Sequence, residues 1–478
     1  MSSHRPRGIA VVDAGATNTK VILFSPEGHS VAERKVASRH AEGPPYRHID
    51  PEPMVALCRA ALPELDCILP VDAVVPCAHG AALACLAGDG SLALPVMDYT
   101  AEPPPEIVAD YRKLQPPFSE VFCPLLPMAL THGLQLYWQS RAFPDAFGTA
   151  ATVVPWIQYV GFRLSGRAVI EITSMSCQSQ LLDIARGGFS SLVKGQGWER
   201  LFPPMVKAWD DLGPLLPEFR GSSFRGHGRV LAGIHDSTAN YMRYLAAGFT
   251  RFTLLSTGTW IIGFDTTTTV DQLREDYDTA TNTDIFGRAV AVSRFFGGKE
   301  FETLAGSASG ATPSLAHVAE LVARNVLALP SFTGSPGPMP GSGHRGVVAG
   351  AVRTGAERVS LASLYCALMV SEQLDALGSR HDVVVDGPFS ANPVFLGVLA
   401  QLRRGQTVSA SELRDGTTAG AACLALMADG KLPRIGLKLA PVPAAAIAGL
   451  ESYRSLWKEK ALENRDGHAG FERGVLGP

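Results

Sequence analysis

An apolar strand that ends in an aspartate and a tight turn of small and hydroxyl residues constrains the fold of this chain most strongly. Residues 8–20 read GIAVVDAGATNTK, and VILF at 21–24 continues as a second apolar run. Two apolar runs around a glycine-containing turn predict a β-hairpin. Small residues in the turn let the backbone approach an anion, and the neighbouring hydroxyl and amide groups donate hydrogen bonds. The segment therefore predicts a hairpin whose tip holds a phosphate.

The phosphate ligands predicted at this tip are Gly15, Ala16, Thr17, Asn18 and Lys20, and Asp13 stands where a metal ion could bind. An alternative is that the aspartate and glycine serve only the turn. No G-x-x-x-x-G-K-[ST] loop occurs, and no G-x-G-x-x-G follows a strand and opens a helix. These absences argue against the P-loop and dinucleotide-binding classes.

A second hairpin of the same design lies in the other half of the chain. Residues 252–264 read FTLLSTGTWIIGF, again an apolar run, a turn of hydroxyl residues and an apolar run. Thr257, Gly258 and Thr259 form this turn and are the predicted phosphate ligands. Two phosphate-type hairpins in one chain predict a duplicated domain with a nucleotide held between the copies.

The words DAGATNTK at 13–20 and STGTW at 256–260 resemble most closely the FGGY carbohydrate kinases of the actin-like ATPase, or ribonuclease H-like, superfamily. The resemblance extends over nearly the whole chain. It implies an α/β fold of two actin-like domains with a nucleotide and sugar cleft between them. Residues 1–245 would bind sugar and carry the first hairpin, and residues 246–478 would carry the second hairpin and the adenosine pocket. It also implies ATP and Mg²⁺ as cofactors, with Asp13 holding magnesium through water.

Composition agrees with a globular enzyme. The 478 residues are 46% hydrophobic and 18% charged, with a net charge of -3 and no basic block, so nucleic acid and anionic membranes are not expected partners. No apolar run approaches the roughly 20 residues of a membrane span, and no signal peptide is recognised, so we expect a cytoplasmic protein. The eight cysteines show no C-x-x-C pair and are expected to be buried thiols.

The predicted catalytic base is Asp236, in the segment AGIHDSTA at 232–239. A strand is expected to end at Gly233 and a helix to begin after Asp236. A carboxylate at such a junction could take the proton of a substrate hydroxyl that attacks the γ-phosphate. The alternative is a helix N-cap, because Asp before Ser-Thr-Ala is a good helix start. The segment is very similar to the one that carries the catalytic base in FGGY kinases, which favours the catalytic interpretation.

The resemblance places the adenosine pocket at DGPFSAN, residues 386–392. Gly387 would permit close approach of a flat base, and Asn392 could bond ribose or purine. Asp386 and Pro388 depart from the usual glycine-rich run, which leaves nucleotide preference open. A turn shaped by Pro and Asn for structural reasons alone is the alternative.

Sugar contacts are expected from the first half. His79, in His-Gly-Ala-Ala, resembles the segment that touches the ketose in xylulose kinases, although a histidine after a strand can also be purely structural. The family's Asp-x-Arg is absent, and Asp98 and Tyr99 are predicted to replace it. Gln178 is a further candidate, and core packing is the expected fate of Trp138 and Trp156.

Five other segments stand out. Residues 360–377 have helical periodicity and predict a helix, and the apolar run at 382–386 predicts a buried strand. Residues 329–344, rich in Pro and Gly, predict a long surface loop inside the second half. Residues 294–301, RFFGGKEF, suggest a close backbone approach without an assigned role. The tail with Tyr453 and Trp457 is expected to pack back onto the body.

The sequence thus predicts an ATP-dependent kinase that phosphorylates a small ketose or deoxyketose of the rhamnulose, fuculose or xylulose type. A polyol or autoinducer kinase of the same family stays open. So does a nucleotide-dependent binding or regulatory protein without kinase activity. The sequence leaves open which hydroxyl is phosphorylated and whether the protein is a homodimer.

Overall fold

A computed structural model describes residues 6–335, 337–412 and 416–467. Across these residues, no helix is both long and apolar enough to cross a membrane.

Up to residue 248 the chain alternates short strands and helices. The strands are β1 Gly8–Ala14, β2 Asn18–Phe24, β3 Ser30–Ala37, β4 Arg39–Ala41, β5 His48–Asp50, β6 Val71–Ala78, β7 Leu83–Ala87, β8 Val96–Met97, β9 Ala150–Pro155, β10 Ile170–Glu171, β11 Met205–Val206, β12 Asp211–Pro214, β13 Arg229–Leu231 and β14 Ile234–His235. The helices are α1 Glu52–Ile68, α2 Pro105–Arg112, α3 Phe118–Val121, α4 His132–Ala142, α5 Pro144–Gly148, α6 Trp156–Ser165, α7 Ile172–Ser176, α8 Ser191–Gly195 and α9 Asp236–Ala246.

From residue 249 onward the chain again combines strands and helices, and its longest helix has 23 residues. The strands are β15 Phe252–Thr257, β16 Ile261–Asp265, β17 Thr279–Thr283, β18 Ala289–Phe295, β19 Leu327–Leu329, β20 Val347–Ala349, β21 Asp382–Asp386, β22 Val408–Ser411 and β23 Leu439–Pro441. The helices are α10 Gly297–Ala305, α11 Leu315–Ala323, α12 Gly355–Leu377, α13 Pro393–Leu402, α14 Gly416–Ala422 and α15 Leu450–Arg465. Short 3₁₀ helices occupy Trp198–Leu201, Pro217–Phe219, Val270–Gln272, Glu275–Tyr277, Gly306–Ala308, Pro388–Ala391 and Cys423–Leu426.

The chain divides into two compact units. The first contains the residues up to Gly248 together with Thr281–Ala289 and Asp415–Gly436. The second contains Phe249–Ala280, Val290–Arg414 and the residues from Leu437 onward. The units therefore exchange segments along the sequence, and α14 belongs to the first unit although it lies late in the chain.

The central sheet of the first unit has the strand order β12-β13-β6-β1-β2-β3, and β14 also pairs with β6. β1 is antiparallel to β2 and parallel to β6, which in turn is parallel to β13 and β14. Side chains of β1 alternate between two apolar layers, because successive residues of a strand point to opposite faces. Ala10 and Val12 pack in one layer, and Ile9 and Val11 in the other.

Six of the seven strands in the sheet that carries the second hairpin follow the equivalent order, β18-β16-β15-β21-β22-β23, in which β18 corresponds to β3 and β23 to β12. β15 is antiparallel to β16 and parallel to β21, and β21 is parallel to β22. The two predicted hairpins thus occupy equivalent places, β1–β2 in one unit and β15–β16 in the other. This repetition confirms the duplicated α/β architecture.

Several predicted elements are confirmed with small changes of length. The strand Asp382–Asp386 has the predicted bounds, and the helix predicted at 360–377 begins earlier, at Gly355. The strand expected to end at Gly233 is interrupted instead: Gly233, with φ 89°, separates β13 from β14. The expectation that all cysteines are buried is wrong for Cys67, which is exposed on α1. The tail packs as predicted, since the Trp457 indole N–H donates to the carbonyl of Ala328.

The segment at 329–344 is not the surface loop that its composition predicts. Leu329 is the last residue of β19, and the other described residues of the segment form no helix or strand, yet Ser331, Ser335 and Ser342 are buried. The fully buried carboxylate of Glu300, on α10, accepts hydrogen bonds from the amide groups of residues 332 and 333 and from the hydroxyl groups of Ser331 and Thr333. Buried backbone groups need such partners, and a carboxylate from a distant helix supplies them here.

Helix α9 packs against α14 at a glycine. A Cβ atom built on Gly420 would lie 2.0 Å from the carbonyl oxygen of Ala239, so only glycine fits at this crossing. The contact positions α9, whose first residue is Asp236.

Replacement of Gly420 by alanine should therefore push the two helices apart. We expect Gly420→Ala to lower the free energy of unfolding by about 1–3 kcal/mol, the usual cost of forcing extra volume into a packed core. Gly436→Ala is the matched control, because a Cβ atom there meets nothing within 4 Å. Urea unfolding of both variants measures the difference, and equal stability of the two would contradict the close-packing argument.

Candidate functional site

The carboxyl ends of three parallel strands meet at one edge of the first unit. β6 lies between β1 and β14, and Asp13 and His235 pair with the adjacent β6 residues Cys77 and Ala78. Burial, followed by the charges of Asp13 and Asp236, raises the pKa of the Cys77 thiol well above its usual value. Both carboxylates therefore lie near the same thiol. The structure brings together the predicted metal ligand and the predicted base.

Asp236 is the first residue of α9 but does not cap it. The N-cap position belongs to His235, whose side chain makes no capping bond. The Asp236 Oδ1 atom instead accepts from the amide and hydroxyl groups of Ser237, and its side chain keeps 30% of its exposure. The geometry thus differs from the N-cap alternative and leaves a partly open carboxylate at the strand end.

His235 supports this carboxylate. Its Nε2 atom lies 3.2 Å from Asp236 Oδ1, and its Nδ1 atom lies 3.1 Å from the hydroxyl oxygen of Thr238. Burial lowers the pKa of His235, so the ring is neutral near pH 7. A neutral ring satisfies both contacts when Nε2 donates to the carboxylate and Nδ1 accepts from Thr238.

A second carboxylate, Glu171, holds the backbone beside His235. Its Oε2 atom accepts four bonds, from the amide and hydroxyl groups of Thr173 and Ser174. The Thr173 hydroxyl oxygen also accepts from the amide of His235 at 3.2 Å. Burial raises the pKa of Glu171 to about 7. Sequence reasoning missed this residue, because no motif marks it.

The first hairpin turns tightly at its tip. The Gly15 amide donates to the Asn18 carbonyl at 3.1 Å, and Thr17 and Asn18 are exposed. Asp13 and Lys20 are directly paired across the two strands. Side chains of paired residues share a face of the sheet, so Asp13, the predicted metal ligand, and Lys20, a predicted phosphate ligand, lie on the same side.

His79 follows β6 and carries an unpaired polar atom. Burial lowers its pKa to about 4, and no described residue hydrogen-bonds its Nδ1 atom. Its ring packs edge-on against Tyr99, with 5.6 Å between ring centroids. The next residue, Gly80, accepts from the buried ring of His132. A buried ring nitrogen without a protein partner is what a ligand hydroxyl could satisfy.

A pocket of the first unit adjoins this histidine. Its wall includes groups from the hairpin, from β4 and from α1, among them Gly15, Ser38, His40, Met54, His79 and Trp156. Gln178, the further sugar candidate, has a left-handed backbone with φ 52° and a buried Oε1 atom that no described residue hydrogen-bonds. Trp138 and Trp156 are buried, as predicted.

Asp98 has protein partners on both oxygens. Oδ2 lies 2.7 Å from His40 Nδ1 and 3.1 Å from Arg47 Nε, and Oδ1 accepts from the amide and hydroxyl groups of Thr100. These hydrogen bonds hold the pKa of Asp98 well below its usual value despite burial. The segment after Asp98 lacks the family's arginine, and Arg47 places a guanidinium beside the carboxylate from another part of the chain.

In the second unit, the second hairpin and the predicted adenosine loop are linked through Thr257. Its hydroxyl donates to the Asp386 carbonyl at 2.6 Å and accepts from the Phe389 amide at 3.1 Å. Gly387 has φ 92°, and a Cβ atom there would lie 2.0 Å from the Thr257 carbonyl oxygen. Glycine is therefore required at residue 387 by both conformation and space.

The remaining predicted nucleotide contacts have different surroundings. A Cβ atom on Gly258 would meet only the Trp260 carbonyl, at 3.9 Å, and Thr259 is exposed, so the turn is open. Asn392 caps α13, accepting from the amides of residues 394 and 395, and it also donates to Ser363.

The segment at 294–301 packs directly against the turn of the second hairpin. A Cβ atom on Gly298 would lie 2.3 Å from the Gly258 carbonyl oxygen, and the Gly298 amide donates to the Thr259 carbonyl at 3.1 Å. The rings of Phe296 and Trp260 stack with 4.2 Å between centroids. The glycine pair therefore fits the close backbone approach that the sequence suggests.

The donor set at the edge of the first unit suits magnesium. Asp13 and Asp236 offer carboxylate oxygens, which Mg²⁺ prefers. The described residues contain no group of three or more His, Cys, Asp or Glu side chains that converge on one point. A sparse protein donor set fits an ion that keeps several waters and binds substrate phosphates.

Comparison with known proteins agrees with this architecture. The family model described as carbohydrate kinase FGGY, C-terminal domain, matches residues 249–433. A solved structure of a carbohydrate kinase from Novosphingobium aromaticivorans is 34% identical, with a TM-score of 0.81, and the match covers 95% of this chain and 100% of that chain. No curated protein matches the sequence.

More distant structures share the fold. A xylulose kinase from Lactobacillus acidophilus is 15% identical over 97% of this chain and 98% of its own, with a TM-score of 0.81. A gluconate kinase from the same organism is 15% identical over 97% of this chain and 99% of its own, with a TM-score of 0.79.

The two actin-like domains, each with a hairpin of the same design, are the architecture of sugar kinases in the actin-like superfamily. The chain belongs to the FGGY carbohydrate kinase family. It is a phosphotransferase that acts on a hydroxyl group of a small sugar, and kinases of this family use ATP, generally with Mg²⁺.

Glu171 makes the stability of the first unit depend on pH. Because its pKa is about 7 in the folded protein and near 4.5 in the unfolded chain, only the folded form holds the proton between these values. The free energy of unfolding should therefore fall as pH rises through this window, by about 3 kcal/mol at most. Glu171→Gln should remove this fall.

Urea unfolding at pH 5 and pH 8 tests the effect. Glu102→Gln, at an exposed loop position, is the matched control and should keep the wild-type pH dependence. A Glu171→Gln protein with the wild-type pH dependence would show that another group is responsible.

Proposed function

We propose that this kinase transfers the γ-phosphoryl group of ATP to a hydroxyl of a small, uncharged ketose or deoxyketose, with Asp236 as general base. The observation that carries the assignment is the partly open Asp236 carboxylate at the edge it shares with Asp13, held by His235 instead of capping α9. A carboxylate so placed accepts the proton of the attacking hydroxyl.

The charges around His79 favour an uncharged sugar. The ionised groups that act on its ring are the carboxylates of Asp236 and Asp98, together with His40. His79 is itself neutral at pH 7, so it offers no positive charge to attract a carboxylate of the ligand. An aldonate would bring a second carboxylate close to Asp236, which like-charge repulsion disfavours, whereas the charge of Asp98 is offset by Arg47. Rhamnulose, fuculose and xylulose are the leading candidates, and a polyol is compatible with the same charges.

The neutral imidazole of His79 and the amide of Gln178 are suited to orient such a sugar. Each has a buried polar atom for which the described residues supply no hydrogen bond. A sugar hydroxyl can donate to one atom and accept from another, so it would satisfy these groups without adding charge. Tyr99 would cover the apolar face of the ring.

For the nucleotide, we assign the phosphates to the two hairpin turns and the adenosine to the loop at 387–392. The open space at Gly258 and the tight turn at Gly15 support close approach of phosphate oxygens. Magnesium, when bound near Asp13, would neutralise charge on the transferring phosphoryl group. Thr257 would contribute through its backbone, because its hydroxyl is bonded to residues 386 and 389.

Release of ADP by the purified protein across a panel of sugars tests this function. We expect ADP with one ketose or deoxyketose and none with gluconate. A preference for gluconate would contradict the charge argument. ADP release that does not depend on any sugar, or nucleotide binding without turnover, would indicate the binding or regulatory alternative.

Asp236→Asn tests the assignment of the base. The amide keeps an oxygen for Ser237 but cannot take up a proton, so kcat should fall by about two to four orders of magnitude while the affinities for ATP and sugar change only a few-fold. Steady-state kinetics and calorimetric titration measure these quantities. Asp145→Asn, at an exposed position, is the matched control. Loss of binding or of the fold, with kcat preserved in the remaining active protein, would indicate a structural role for Asp236.

A further inference from the structure

The turn of the first hairpin is held from one side by the residues that follow β3. The Ser38 amide donates to the Thr17 carbonyl at 2.9 Å, and the Ser38 hydroxyl donates to the Gly15 carbonyl at 2.8 Å. The His40 Nε2 atom lies 2.8 Å from the Ala16 carbonyl oxygen. Three successive carbonyl groups of the turn therefore point toward the same short segment.

This arrangement sets the direction of the amide groups in the turn. In a trans peptide unit the C=O and N–H bonds point to opposite sides. Because the carbonyls of Gly15 and Ala16 face Ser38 and His40, the amides of Ala16 and Thr17 face away from them. Successive amides directed outward from a turn form a concave anion-binding surface. The contacts from Ser38 and His40 thus determine whether the turn presents donors to a phosphate.

The two partners of the His40 ring are both acceptors. Nε2 faces the carbonyl of Ala16, and Nδ1 faces the carboxylate of Asp98 at 2.7 Å. A neutral imidazole has one N–H and one lone pair, whereas an imidazolium donates from both nitrogens. Only the charged ring carries an N–H on the side of each acceptor, and its positive charge is attracted by the Asp98 carboxylate.

We propose that His40 is a positioning residue for phosphoryl transfer, which as an imidazolium locks the first hairpin turn in the conformation that binds the phosphates of ATP. This inference rests on the proposed function, because it takes the turn as a phosphate site. His40 acts through the backbone of Ala16 and Thr17. It was not among the residues that the sequence marked.

The charged groups around His40 come from several elements. Asp98 follows β8, and its hydrogen bond is the largest of the effects that raise the pKa of His40 above its usual value of 6.5, against the opposing effect of burial. The guanidinium of Arg47 opposes this change but is itself paired with Asp98 and Glu42. His79 adjoins the same pocket and is neutral at pH 7.

Other ionised side chains nearby are paired. Asp50, which also lines the pocket, forms an ion pair with Arg39 on β4. The charge of His40 therefore depends chiefly on Asp98. As pH rises through the pKa of His40, the ring loses a proton and a lone pair comes to face an acceptor. The turn should then loosen, and ATP affinity should fall.

Binding of a non-hydrolysable ATP analogue with Mg²⁺, measured by calorimetry from pH 7 to pH 9.5, tests the inference without relying on turnover. Wild-type affinity should fall across this range. His40→Gln removes one of the two donors, so its affinity at pH 7 should be roughly tenfold weaker, the equivalent of one lost hydrogen bond of about 1.4 kcal/mol. The same variant should show no further loss as pH rises.

Two further variants sharpen the test. Asp98→Asn removes the carboxylate that favours the charged His40 ring, so binding of the analogue should lose its pH dependence between pH 7 and pH 9.5. His48→Gln is the matched control, since His48 lies on β5 and contacts the Tyr46 carbonyl, not the turn. The pH dependence of its analogue affinity should equal that of wild type, and it includes any contribution from titration of the phosphates of the analogue.

The charge of the ring is measured directly by NMR. Imidazole signals assigned by comparison with His40→Gln should report a protonated ring at pH 7. A neutral ring at pH 7, or unchanged analogue affinity in a folded His40→Gln protein, would overturn the inference. Failure of every sugar to yield ADP would instead contradict the proposed function, so the two failures are distinguishable.

Discussion

The pairing of β6 between β1 and the strands that lead into α9 is the constraint on which the candidate site depends. Parallel pairing brings the carboxyl ends of three strands to the same edge of one sheet, where Asp13 and Asp236 lie near Cys77. The residues 13 and 236 are far apart in sequence, and only this register makes them neighbours. Gly233 and Gly420 protect the arrangement, because any side chain at either position would overlap the backbone of Pro76 or Ala239.

Buried polar side chains then hold the loops that the sheet leaves irregular. Glu171 fixes the backbone beside His235, Thr257 joins the second hairpin to the loop after β21, and Glu300 supports the segment at 329–344. Each of these groups satisfies backbone atoms that would otherwise be buried without partners, a deficit that costs about 1–3 kcal/mol for each group. The same low-dielectric surroundings shift the pKa values of Glu171 and His79, so structural support and the tuning of site residues have one physical origin.

Much of the fold followed from local patterns. The two hairpins, the buried strand at 382–386 and the helix at 360–377 were predicted from apolar periodicity and turn residues, which act over a few positions. The interpretation of 329–344 as a surface loop failed, because composition reports irregular backbone but not the distant carboxylate that buries it. Cys67 was wrongly assigned to the core for a similar reason, since its exposure depends on which face of α1 meets the sheet.

By itself the sequence determined the class of protein. Two hairpins with related turns, an aspartate between a strand and a helix, and the resemblance of these segments to one family were sufficient. These are short segments whose chemistry lies within a few consecutive residues. Tertiary structure alone decided which groups meet. It placed Arg47 beside Asp98, where the local segment has no arginine, and it aimed His40 and Ser38 at the carbonyls of the first turn. Such contacts join residues far apart in the chain, and they arise from strand register and packing, which no local pattern encodes.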